Sequence, residues 1–402
     1  MPERTADVCV VGAGPAGLTL ALLLVRSGVR VVVVERSRGF AREFRGEILQ
    51  PGALALLDRL GVLGEARARG AYEHHRFRLE DGVRVLLNAD YRALPEPYNY
   101  LLSIPQRHVL ETLLAKCEKY DGFELLSGHR VTELLQDGDR TTGVVAGDEI
   151  VNARCVVGAD GRYSKVRRLA GIADGRVELF QRDVLWCKIP LGGASPRDVR
   201  IFRSGGEPML SYVSVPDSLQ LGWTLPHGQY ARVVADGLPA LKERICAAAP
   251  PYAGLIQETI KSLKDVTLLD VFSGDAPEWV RPGLVLIGDA AHTHSPIGAQ
   301  GIMLALQDAA LLHPILVEAV RRGDVGAAAL RPYLARRKDI SRVMRLQVAQ
   351  SGMMLSTRGP KAWIKPKMAA LVSRTPIYRK ILHQIAYNNP AIRVATEEFT
   401  DR

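Results

Sequence analysis

The sequence is poor in the features that mark a metal centre, a disulfide scaffold or a membrane span. Its five cysteines, Cys9, Cys117, Cys155, Cys187 and Cys246, form no CxxC pair, so they read as free thiols. His74-His75 and His292-x-His294 lack a carboxylate or cysteine at ligand spacing, and no G-x-S-x-G elbow occurs; neither a metal nor hydrolase chemistry is expected. Apolar runs are short: Leu18 to Val25 stops at Arg26, well under the roughly 20 residues a bilayer crossing needs, and reads as a core helix. Met1-Pro2-Glu3-Arg4 shows no basic-then-apolar export pattern, so a cytoplasmic protein without integral membrane contact is expected. Aromatic residues are few and not interleaved with the basic ones, so the net charge of +10 does not read as a nucleic-acid surface. It favours the approach of anionic ligands, such as dinucleotides or a carrier-tethered substrate.

At 402 residues the chain is long enough for two intertwined domains and a terminal appendage. Val8–Val11 and Val31–Val34 are short continuous apolar runs, as in parallel strands buried on both faces. Gly12-Ala13-Gly14-Pro15-Ala16-Gly17 joins the first run to a helix that Gly28 ends, completing a βαβ unit. One glycine makes the tight turn, one lets a pyrophosphate approach the backbone, and one packs helix on strand; the helix N-terminus then faces the phosphates. Glu35 ends the second strand, where an acid accepts from ribose hydroxyls. The unit predicts dinucleotide binding and leaves the dinucleotide open.

Two distant segments bear on its identity. Val156-Val157-Gly158-Ala159-Asp160-Gly161 is a strand and turn followed by Ser164, Lys165, Arg167 and Arg168; alone it is equally a plain strand-to-helix turn with a solvated basic face. Leu284–Ile287 is a buried strand running into Gly288-Asp289-Ala290-Ala291-His292, then Ser295-Pro296-Ile297-Gly298-Ala299-Gln300-Gly301 and the helical run Ile302–Leu312. An acid at a strand's carboxyl end suits a ribityl hydroxyl, and a loop running into a helix N-terminus suits the anionic edge of a flat ring.

These segments in this order resemble the single-component flavoprotein monooxygenases typified by para-hydroxybenzoate hydroxylase, and the similarity covers most of the chain before the basic tail from Gly352. The resemblance implies an α/β fold: a Rossmann-like FAD domain with a parallel sheet (residues 1–71, 104–175 and 270–345), interleaved with an antiparallel-sheet substrate domain (72–103 and 176–269), then C-terminal helices (346–402). It implies FAD held by Gly12, Gly14, Ala16, Gly17, Glu35, Arg36, Arg45, Gln106, Arg107, Asp160, Gly161, Arg167, Gly288, Asp289, Pro296, Gly298, Ala299, Gln300, Gly301 and Ile302. NADPH or NADH would be a transient co-substrate, and a flavin C4a-hydroperoxide would hydroxylate or epoxidise a small aromatic or polyketide-like substrate. Pro296 is expected as a wall beside the reacting oxygen and His294 as a candidate proton-transfer group, with Tyr212, Trp223 and His227 as candidate substrate contacts. Met303 stands where family members commonly carry asparagine, so a polar contact near the flavin is missing.

Three alternatives stay open. Trp186-Cys187-Lys188-Ile189-Pro190 and Trp223-Thr224-Leu225-Pro226 partly echo a flavin-dependent halogenase motif; a prenyl reductase is a second rival, and a non-catalytic flavin-binding redox module a third. The tail, including Ile377–Tyr387, is expected to be helical and to dock on the body, and the protein to be a monomer or homodimer.

Overall fold

The computed structural model of the chain describes residues 1–40, 47–82, 84–177, 182–191, 196–203, 207–354, 371 and 375–400. Five strands run parallel in the order Leu284–Leu286, Glu149–Gly158, Glu3–Val11, Val31–Glu35 and Phe123–Ser127. Val11, Gly158 and Leu286 are adjacent in register, so the turns that follow these strands leave from one edge of the sheet. The helix Pro15–Arg26 packs across this sheet with ten consecutive buried residues, Ala16 to Val25. Burying each of its leucines contributes about 1.5–3 kcal/mol, which is why the Leu18–Val25 run folds inward.

The helix that begins at Gly301 extends to Arg322, ten residues past the expected Leu312, and passes through Pro314 before Gly323 ends it in the left-handed conformation at φ 68°. Its apolar length corrects the reading that no segment is long enough to cross a bilayer. Ile297–Arg322 meets that length and composition, and 72% of its most apolar window is buried inside the fold. Burial on several sides explains how the helix tolerates a proline that local propensity reads as a stop.

A second sheet orders Thr267–Leu269, Arg182–Pro190, Ser218–Pro226, Met209–Ser214, Asp198–Phe202, Arg76–Asp81 and Arg84–Asp90. Every pair is antiparallel except Asp198–Phe202 beside Arg76–Asp81, which run parallel. The purely antiparallel expectation is corrected there, because the chain returns through the first sheet and a long crossover permits a parallel neighbour. Helix Gly237–Ala248 covers one face of this sheet. The other face meets the Pro296–Ala299 loop and the helices Arg337–Met354 and Pro376–Tyr387. All five cysteines carry free thiols.

A buried polar network fastens the two long helices. Asp308 accepts from Gly288 N at 2.8 Å, His292 Nε2 at 2.6 Å and Arg336 Nε at 2.9 Å. Arg336 also donates to Asp339 and to Gln307 Oε1. Burial alone would raise the Asp308 carboxyl, but His292 and Arg336 beside it hold it down at about 2. Burial pushes the imidazoles of His74 and His313 down to about 4, and that of His294 well below its ordinary range.

The pH dependence of stability follows. A histidine kept neutral by burial binds fewer protons folded than unfolded, so stability should fall as pH drops from about 6.5 toward 4, by up to about 1.4 kcal/mol per pH unit for each such group. Asp308 acts lower: its stabilisation is present above about pH 4 and is lost as pH falls through about 2. Thermal midpoints recorded from about pH 8 down to 4 should decline in the upper window; a flat profile there counts against the three neutral imidazoles.

Candidate active site

Three glycine-containing turns meet at the carboxyl edge of the parallel sheet, the general place for ligands in open α/β sheets. Gly12 N donates to Val34 O, Ala159 N to Val11 O, and Ile287 N to Gly158 O, which draws the turns together. Gly12 has φ 108°, and a Cβ there would lie 2.5 Å from Ala159 O; a Cβ at Gly17 would lie 1.9 Å from Gly12 O. These two glycines are demanded by close backbone packing. Gly14, Gly161 and Gly301 are different, since a Cβ at each would enter open space.

Glu35 lies at the strand end, its Oε2 accepting from Ala13 N at 2.9 Å and its Oε1 from Ser37 N at 2.9 Å, which fixes the carboxylate beside the first glycine turn. Arg36 next to it is exposed. The first turns of Pro15–Arg26 and Gly301–Arg322 hold no acidic residue and no side-chain cap, so their N–H groups are available to an anion. They converge at Gly288, where a Cβ would sit 3.2 Å from the Ala16 Cβ and 3.6 Å from the Ala305 Cβ. Open space at Gly14 and Gly301, two free helix N-termini and an acid at the second strand's end fit the pyrophosphate, flat ring and ribose of FAD.

Several expected cofactor ligands have other partners. Asp160 takes Ser164 Oγ, Lys165 N and Val166 N, so its carboxylate caps the Lys165–Leu169 helix; burial raises its pKa while these bonds oppose the rise. Arg167 is 4% exposed and donates to Ala290 O at 2.7 Å and Arg162 O at 3.1 Å. The resemblance implied that Arg167 holds FAD; here its guanidinium cross-links two turns. Gln300 is likewise buried, donating to Gly298 O and Ile385 O. Gly161 lies in the second turn, Asp289 beside Gly288 is half-buried, and Ile302 follows Gly301 half-buried. Gln106 is half-buried and Arg107 exposed at the start of the Gln106–Cys117 helix. Arg45 lies outside the described residues. Met303 is fully buried, and its Sδ would lie 2.8 Å from a Cβ at Gly52, so it packs between helices instead of leaving a gap beside the cleft.

Beyond the loop lies an apolar cavity of about 250 Å³, walled by Pro296, Ile297, Gly298 and Ala299 on one side and by Phe77, Trp186, Ile201 and Leu210 on the second sheet. Its polar edge holds Gln50, Tyr91, Thr224 and Gln350. Gln50 Nε2 donates to Gly298 O at 2.7 Å and its Oε1 accepts from Tyr91 Oη at 3.2 Å. Burial pushes the Tyr91 phenol up to about 12, so it stays protonated and donating. Gly298 at φ 76° and Ala299 at φ 49° shape the loop above.

The candidate substrate residues are redistributed. Trp223 faces away from the cavity and packs beneath Arg244; its strand neighbours Gly222 and Thr224 line the cavity, because alternate residues take opposite faces. Trp186 is the tryptophan at the wall, its ring lying where a Cβ on Gly222 would be 2.7 Å away. Tyr212 supports it edge-on at 6.4 Å. His227 Nδ1 instead bonds Asp183 Oδ1 at 2.7 Å. Asp183, His227 and Asp270 gather within 4.8 Å, a grouping that linear spacing hides, with Arg176 at 3.5 Å from Asp270 as counter-charge. His294 is also corrected: it is buried against His292 at 3.0 Å and lines no part of the cavity. Sequence reasoning missed Gln50, Tyr91, Trp186, Gln350 and Arg162, whose Nε stands 3.8 Å from Asp289 Oδ2. Only Arg162 had a local signal, its place directly after Asp160-Gly161.

A family profile described as "FAD binding domain" matches residues 5–347. The chain is 56% identical over 400 residues to a 6-methylpretetramide 4-monooxygenase of Streptomyces rimosus, covering 98% of this chain and 95% of the relative. It is 28% identical over 339 residues to a para-nitrophenol 4-monooxygenase of a Pseudomonas strain, covering 80% of each. Among solved structures, the p-nitrophenol 4-monooxygenase of Pseudomonas putida superposes with a TM-score of 0.80 at 24% identity, covering 97% of this chain and 99% of that one.

Proposed function

The chain belongs to the FAD-binding-domain family of flavoprotein hydroxylases and is an FAD-dependent monooxygenase; from that premise we propose that it uses NADPH or NADH and dioxygen to hydroxylate 6-methylpretetramide or a closely related aromatic polyketide. The observation that carries this reading is the apolar cavity directly under the Pro296–Ala299 loop, between the nucleotide cleft and the second sheet. Pockets between domains, lined by apolar groups with a few polar ones, suit such ligands. Against the alternatives, a monooxygenase 56% identical across nearly the whole chain leaves the halogenase, prenyl reductase and non-catalytic readings unsupported.

FAD, when bound, supplies the oxygen-activating chemistry. The chain's residues bind and shield. The Gly12–Gly17 turn and the Pro15–Arg26 helix N-terminus would receive the pyrophosphate, and Glu35 would accept from the adenosine ribose. Asp289, with Arg162 Nε 3.8 Å from its Oδ2, would face the ribityl chain, and Arg36, Gln106, Arg107 and Gly161 are the further residues that the family resemblance gives to FAD. The Gly301–Arg322 helix N-terminus would face the ring edge. Pro296 and its neighbours exclude water from the reacting centre, which stops reducing equivalents leaking to peroxide. Trp186 and Gln350 take the substrate-contact roles expected of Trp223 and His227. We also place the protein in the cytoplasm, and assign the second sheet to a substrate domain and the parallel sheet to a cofactor domain.

The test incubates the FAD-loaded protein with NADPH or NADH, isotopically labelled dioxygen and 6-methylpretetramide. Substrate should accelerate nicotinamide oxidation, and the product should carry one labelled oxygen atom. Nicotinamide oxidation that is indifferent to substrate, with no labelled product, would overturn the proposal.

A further inference from the structure

The Pro376–Tyr387 helix lies beyond residue 347, where the family match ends, yet it walls the cavity through Tyr378, Ile381, Leu382 and Ile385. Its polar fastening to the body runs mainly through main-chain carbonyls, while Leu382 and Ala386 are buried in the core beside the cavity. Gln300 Nε2 donates to Ile385 O at 2.7 Å, and Gln307 Nε2 donates to Tyr387 O at 2.9 Å and Asn389 O at 3.3 Å. Asn388 Nδ2 returns a bond to Gln307 Oε1 at 3.1 Å. A Cβ at Gly52 would stand 3.1 Å from Tyr387 Cα and 3.2 Å from Ala386 O, so the helix end seats by close backbone approach.

Carbonyl groups are common to every residue, so these bonds fix where the helix runs without dictating which side chains it presents. Both glutamines stand at or on the Gly301–Arg322 helix, whose N-terminus faces the cleft. One rigid piece therefore holds the cofactor loop and the cavity wall in a fixed relation, while the wall's side chains stay exchangeable. On the opposite side, the wall is sheet, where a changed side chain must also suit its strand neighbours.

We propose that the Pro376–Tyr387 helix is the specificity-determining wall of the substrate cavity, with Ile381 and Tyr378 setting the size of aromatic ring system admitted. The proposal rests on the monooxygenase reading above. Ile381→Phe removes space and Ile381→Ala adds it, at a half-buried position that makes no side-chain hydrogen bond.

The FAD-loaded wild type and both variants are compared on 6-methylpretetramide and on the single-ring para-nitrophenol, by kcat/KM and by the change in flavin absorbance on titration with each compound. Ile381→Phe should shift the kcat/KM ratio at least about tenfold toward the smaller compound, and Ile381→Ala should shift it the opposite way. A merely structural residue would lower both substrates alike in both variants, together with flavin content. Should either variant lose flavin, Tyr378→Leu provides the enlarged cavity at a second position and should shift the ratio as Ile381→Ala does. A wild type that turns over at least one compound, with unchanged kcat/KM for it and unchanged affinity for the other by flavin absorbance in all variants, overturns the wall's role alone. No turnover of either compound by the wild type overturns the proposed function and this wall's role with it.

Discussion

Gly14→Asp should give a folded protein that no longer holds its flavin. Gly14 is the N-cap of the Pro15–Arg26 helix, at φ −84° and ψ −174°, a conformation open to any L-residue. A Cβ there meets nothing within 4 Å. Aspartate is among the best N-cap residues, so it should leave the apoprotein as stable as the wild type or slightly more so. The same carboxylate would occupy the space and the N–H donors that the pyrophosphate needs, and would repel its charge. We expect at least about a hundredfold loss of FAD affinity, about 2.7 kcal/mol. Flavin titration by fluorescence quenching, alongside the thermal midpoint of the apo form, reads both halves. Gly17→Ala is the contrast: its Cβ would lie 1.9 Å from Gly12 O, so this smaller change should damage the fold itself. Unaltered FAD affinity in Gly14→Asp would remove the pyrophosphate from the first glycine turn.

Arg336→Met should be among the most destabilising single substitutions in the molecule. The guanidinium has no solvent exposure and bonds Asp308 Oδ1 at 2.9 Å, Asp339 Oδ2 at 3.0 Å and Gln307 Oε1 at 2.9 Å. Its removal leaves Asp308 buried with less compensation, and breaking one partner of a buried pair costs about 3–5 kcal/mol. Total stabilities are about 5–15 kcal/mol, so the loss is a large fraction. The effect reaches the cofactor cleft, because Asp308 also holds Gly288 N at 2.8 Å. The Asp308 carboxyl, held at about 2 in part by Arg336, should rise, so acid unfolding should begin at higher pH. Arg336→Met with Asp308→Asn should recover part of the loss, since it removes the orphaned charge and leaves an amide oxygen to accept from Gly288 N. Denaturant midpoints of the three proteins measure this; a loss under about 1 kcal/mol for the single variant would mean that water or rearrangement relieves the buried carboxylate.

Legibility in the sequence tracked how local each feature is. Gly12, Gly17 and Gly288 could be read from the spacing of their motifs, although only Gly17 meets a residue close in the chain, Gly12 O; Gly12 faces Ala159 O and Gly288 faces Ala16. Asp160 and Arg167 were found as a motif; the partners of Asp160, such as Val166 N, are local, whereas that of Arg167, Ala290 O, is 123 residues away and becomes visible only when the turns stand side by side. Gln300 was expected to meet the flavin through its place in the loop, yet its amide reaches Ile385, 85 residues away. The tail was expected to dock, but nothing in its composition says that it closes a cavity.

By itself the sequence determined the nucleotide half: the parallel strands, the glycine turns, the helix N-termini and the acid at Glu35 all express short-range backbone geometry written in consecutive residues. Tertiary structure alone decided the substrate half. Whether Trp186 or Trp223 faces the cavity depends on the strand register that sets Trp186 opposite Gly222, and a one-residue slip between the strands would put both rings on one face. Side-chain direction in a sheet, and the partner of a terminal helix, belong to pairings between distant segments, which no local pattern encodes.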